Sequence, residues 1–156
     1  MMVQAGTEKR RSNRTEKHVQ KIVSVGIQPI HAEECWHEGR SPELKRVHYD
    51  DRGTVLKAID YVNPDGNKRH LIFIKPQTFM FTPEEVENYG ASVVSWTDTG
   101  RAALVCVGRS PWLASFAPYH LKECLHFRIM FYDVFLDVIC REVAVQTGLY
   151  LGSRDA

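Results

Sequence analysis

Ala58-Ile59-Asp60-Tyr61-Val62-Asn63-Pro64-Asp65-Gly66-Asn67-Lys68-Arg69-His70-Leu71-Ile72-Phe73-Ile74 is the stretch on which the fold depends. Two runs rich in β-branched and aromatic residues stand on either side of Asn63-Pro64-Asp65-Gly66. Proline at the second position of that quartet and glycine at the fourth match a type I turn, so the chain reverses on itself. The reading is a β-hairpin. Pro76 stops the second arm or confines its end to a sheet edge.

The same punctuation recurs on both sides. Asp50-Asp51-Arg52-Gly53 reads as a turn leading into Thr54 to Val62. Upstream, Val19 to Ile27 reads as a first strand, and residues 29–45 as a loop with at most one helical turn. Downstream, Thr82-Pro83-Glu84-Glu85 has the residue types of a helix start: a capping threonine, proline at the first helical position and glutamate at the capping-box spacing. Gly90 should end that helix within two turns. Ser92 to Trp96 and Arg101 to Val107, joined by Thr97-Asp98-Thr99-Gly100, form a second predicted hairpin. Phe127 to Tyr132 alternates as a strand. Val134 to Thr147 is ambiguous between helix and strand, and its six β-branched residues tip it towards strand. No βαβ spacing occurs. The expected class is α+β or mostly β, an antiparallel, hairpin-rich sheet with one or two short helices.

The 156 residues divide into a basic tail, 1–21, with little to fold it, and a single globular domain, 22–156. The tail holds Lys9, Arg10, Arg11, Arg14, Lys17 and Lys21 against Glu8 and Glu16. The body has 14 basic and 17 acidic side chains. A basic tail on a mildly acidic body is one way to hold nucleic acid, through Lys9, Arg10, Arg11 and Arg14. The plainer account is a solvated terminus, because no basic stripe is evident in the body to extend it. No apolar run is long enough for a membrane span, and the N-terminus lacks an apolar signal segment. The expected setting is cytoplasmic, with the four cysteines reduced.

One pattern points to chemistry. Pro29-x-His31-x-x-Glu34-Cys35-x-His37 is echoed by Pro118-x-His120-x-x-Glu123-Cys124-x-His126. Thiolate and imidazole are ligands that zinc selects. If the two loops converge, His31, Cys35, His37, His120, Cys124 and His126 offer more than the four ligands of a structural zinc site. The plainer account is that the cysteines pack as small hydrophobes and the histidines bond to nearby backbone. The spacings also differ from those of familiar zinc knuckles.

Ser110 to Tyr119 is a proline-flanked loop with three aromatics. Trp112, Phe116 and Tyr119 are either folded over the core or exposed as a surface for a protein or small-molecule partner. Trp112 and Phe116 sit at the i, i+4 spacing and should pack as a pair. The function expected from all this is a small binding or interaction domain, with a zinc site formed by the two His/Cys loops. Alternatives are a small cysteine-dependent enzyme with a histidine base, using Cys124 or Cys35, and a nucleic-acid-associated protein tethered by its tail. No catalytic residue is assigned: serine-elbow, phosphate-loop and dinucleotide motifs are all absent.

Overall fold

The Asn63–Gly66 turn forms as its residues dictate. Gly66 N–H donates to the Asn63 carbonyl at 2.8 Å, with Gly66 at φ 85°, a conformation that glycine adopts without strain. The flanking arms pair in register from Ala58↔Ile72 to Val62↔Lys68. The computed structural model describes residues 28–30, 35–36, 40–87 and 102–152.

In chain order the strands are β1 (Gln28–Pro29), β2 (Glu43–Tyr49), β3 (Leu56–Val62), β4 (Lys68–Ile74), β5 (Thr78–Pro83), β6 (Leu104–Gly108), β7 (Leu125–Met130), β8 (Val134–Cys140) and β9 (Glu142–Thr147). Among the described residues, one short helix, α1 (Pro111–Ala114), and two 3₁₀ turns, Glu84–Val86 and Pro118–His120, complete the list. Every pairing is antiparallel. One sheet runs β1-β6-β7-β8-β5 and the other β2-β3-β4-β9, the first having the two-residue β1 at its edge. The described residues are thus mostly β.

Alternation places the core between the sheets. Ile59, Tyr61, Leu71, Phe73 and Val143 from one sheet form one buried cluster with Leu104, Cys106, Phe127, Ile129, Leu136 and Val138 from the other. The two sheets are continuous at one corner. There β4 runs through Lys75-Pro76-Gln77 into β5, alongside β8 running through Arg141 into β9. The paired strands stay bonded around the bend, with Arg141 N–H on the Ile74 carbonyl at 2.9 Å and Gln77 N–H on the Ile139 carbonyl at 2.8 Å. Lys75 takes φ 51° there.

The ambiguous segment 134–147 is strand, as the β-branched residues suggest, but it is two strands that change sheets at Arg141. Two expectations are corrected. Thr82 and Pro83 do not start a capped helix: they pair with Phe135 and Val134 as the end of β5, an edge strand that tolerates proline, and a single 3₁₀ turn follows without a side-chain cap. Part of the 29–45 loop is strand β2, whose alternation is broken by a register shift between Leu44 and Arg46. The predicted strand 19–27 and the first arm of the hairpin at 92–96 lie outside the described residues. No helix among the described residues is long and apolar enough to cross a membrane.

Candidate binding site

Cys35, the described member of the first His/Cys cluster, does not meet the described members of the second. Cys35 lies in the core between the sheets, its carbonyl accepting from Ala103 N–H at 2.9 Å. Cys124 is on the opposite face of the β6-β7-β8 sheet, packed with Leu113 and Ile139. His120 is exposed on its 3₁₀ turn, and His126 is buried with both ring nitrogens engaged. His31 and His37 lie outside the described residues. Among the described residues, no group of three or more His, Cys, Asp or Glu side chains is placed to hold a metal ion. Burial pushes the Cys124 and Cys106 thiols up, and that of Cys140 to about 12. A nucleophilic thiol needs the opposite shift.

What alternation does produce is a buried polar cluster on the outer face of that sheet. Arg128 of β7 stands directly across from Asp137 of β8, and His126 is their diagonal neighbour. Asp137 Oδ1 accepts from His126 Nε2 at 2.6 Å and from Arg128 Nε at 2.8 Å, while Oδ2 accepts from Arg128 Nη2 at 2.8 Å. Arg128 Nη1 reaches Glu87 at 3.0 Å. Burial raises the Asp137 carboxyl, but hydrogen bonds from His126 and Arg128, with their charges, outweigh it and hold it below the usual carboxylate range.

His126 links this cluster to the loop above. Its Nδ1 is 2.8 Å from Ser110 Oγ, and that oxygen also accepts from Leu113 N–H at 3.1 Å as the N-cap of α1. The loop leaves the sheet through an irregularity between Cys106 and Gly108, where Gly108 takes φ 76° and turns Arg109 and Ser110 across the outer face. Serine, imidazole and carboxylate in a row resemble the parts of a hydrolytic triad. Here the serine is 4% exposed and caps a helix, and the Trp112 ring packs edge-on to His126 at 5.1 Å. The chain of bonds anchors the loop.

The anchored loop carries the open surface. A depression of about 380 Å³ is lined by Arg109, Leu113, Ala114, Phe116, Pro118, Leu121 and Lys122. That is at the lower end of small-ligand pockets, enough for one or two rings. A second depression of about 240 Å³, lined by Lys75, Gln77, Tyr119, His120, Lys122, Glu123, Cys124 and Arg141, shares Lys122 with the first. Arg109 Nη2 donates to the Lys122 carbonyl at 2.7 Å, which fixes the rim between them. The predicted aromatic pair exists, with Trp112 and Phe116 ring centroids 5.7 Å apart. The three aromatics nonetheless part company: Trp112 is half-buried against the sheet, Phe116 is 38% exposed and Tyr119 is 85% exposed.

Sequence reasoning misses Asp137, Arg128 and Ser110. A signal existed, because Asp137 interrupts the apolar run Val134–Cys140 and a charge inside a buried strand requires a partner. It also misses the gathering of Lys75, Arg109, Lys122 and Arg141, which come from three separate segments. No protein-family model matches the chain, and no curated protein or solved structure matches it either.

Proposed function

We propose that this chain is a small binding module. Its site is the surface of loop 109–124, and its ligand combines an apolar or aromatic part with an anionic group. The observation that carries this reading is the apolar depression lined by Leu113, Phe116 and Leu121 together with Arg109 and Lys122. An apolar ring enters such a hollow with loss of water, and a neighbouring cation fixes the orientation of an acid group. A site built on a loop pinned to a buried ion cluster is pre-organised, which lowers the cost of binding.

Titration of 1-naphthoate into the ¹⁵N-labelled full chain tests this. Amide signals of Leu113, Ala114, Leu121 and Lys122 should move saturably while those of the Asp65–Gly66 turn stay still. Ala114→Trp, which fills the depression from an exposed position, should abolish the effect. 1-Naphthalenemethanol, lacking the charge, should bind at least about 5-fold more weakly, as expected for loss of an exposed charge contact of about 1 kcal/mol. Equal binding of the alcohol, or shifts scattered over the whole chain, would end the proposal.

A further inference from the structure

We infer that the natural ligand of this surface is single-stranded nucleic acid, an inference that rests on the binding-module reading above. Four cations, Lys75, Arg109, Lys122 and Arg141, line two depressions joined through Lys122, with Glu123 as the one carboxylate among the described lining residues. Glu123 approaches Lys75 at 3.7 Å, as an exposed pair that leaves the patch strongly positive. The whole chain nets only +1, so this density of positive charge is local. Such a patch draws in a polyanion and lets a mildly acidic remainder repel it.

Phosphate attraction alone would not distinguish a strand from a duplex. The aromatics do. Tyr119, 85% exposed and edge-on to His120 at 5.8 Å, lines the depression that holds Lys75, Lys122 and Arg141, and Phe116 borders the apolar hollow that shares Lys122 with it. An exposed aromatic ring surrounded by cations is a stacking platform for an unpaired base, with the charges following the backbone. A duplex hides its base faces and would leave the Tyr119 ring in water. The hollow, sized for one or two rings, accommodates a second base. The cations of residues 1–21 would add electrostatic attraction, but the base contacts belong to the loop.

The test is fluorescence anisotropy of 5′-labelled dT12 with the full chain. With three or four phosphates neutralised, affinity should fall ~20–50-fold between 50 and 200 mM salt. Tyr119→Ala should weaken binding ~5–100-fold and Tyr119→Phe should restore it, since a phenyl ring also stacks. The triple variant Lys75→Gln/Lys122→Gln/Arg141→Gln should flatten the salt dependence. All four positions are exposed, and an unchanged thermal midpoint checks that folding is intact. Lys9→Gln/Arg10→Gln/Arg11→Gln/Arg14→Gln should leave the Tyr119 effect in place.

If dT12 does not bind while 1-naphthoate does, the nucleic-acid inference fails and the binding-module reading stands. If neither binds, both fall. Binding lost only in the tail variant overturns the inference. So does a 12-base-pair duplex, an oligo-glutamate peptide or a phosphatidylserine vesicle binding as tightly as dT12 at the same salt.

Discussion

Asp137 is 1% exposed, and both its oxygens are occupied by donors from His126 and Arg128. Replacing it with asparagine keeps the shape but sets an amide N–H against Arg128 and removes the counter-charge, leaving Glu87 to face the guanidinium alone among the partners described. Breaking a buried pair from one side costs about 3–5 kcal/mol, so Asp137→Asn should lower the urea midpoint by that equivalent. A pH dependence follows with a definite sign. The folded-state pKa of Asp137 is depressed, so its contribution is present above the ordinary carboxylate pKa of about 3.9 and fades as pH falls through the folded value. Urea midpoints between pH 6 and pH 2 should drop with acid in the parent chain and lose this component in Asp137→Asn. An acid profile identical in both would refute the assignment.

At the level of elements, α1 is only four residues long and cannot hold itself together. Its cap, Ser110, is also the hydroxyl that satisfies His126. Ser110→Ala removes the cap and strands a buried ring nitrogen, which should cost about 1–3 kcal/mol and speed amide exchange at Leu113. Ser110→Thr, which keeps the hydroxyl, should recover much of both; unchanged exchange in Ser110→Ala, or no recovery in Ser110→Thr, would detach the cap from loop order. The elements were unevenly legible in sequence. The Asn63–Gly66 and Asp50–Gly53 turns announced themselves because their geometry is set by four adjacent residues. Asp50 even folds its own turn, with Oδ1 accepting from Thr54 and Val55 N–H at 2.8 and 3.0 Å. Thr82-Pro83-Glu84-Glu85 misled because a cap is a local preference of about 1 kcal/mol, and a strand ladder across to β8 outweighs it. Strand β2 was hidden because an irregularity erases the alternation that would mark it.

Across the whole molecule, the antiparallel class could be read from pattern, whereas the site could not. The repeated His/Cys spacing is real, yet Cys35 packs into the core between the sheets and Cys124 into the separate cluster of Leu113 and Ile139, a fact of long-range packing that no local spacing encodes. The cationic surface is illegible for the same reason: Lys75 and Arg141 meet Lys122 only after two crossovers between sheets. All four cysteines are buried. A thiol-directed reagent such as dithionitrobenzoate should therefore label none rapidly in the native protein and four after denaturation, and fast reaction of even one would revive a cysteine-based activity. Lys75, Gln77 and Arg141 occupy the bend where the two layers are one continuous ribbon. A guest gripping that bend, as proposed, would act as a clasp across the seam: it would fasten layer to layer, and heat would have to dislodge it before the halves could part.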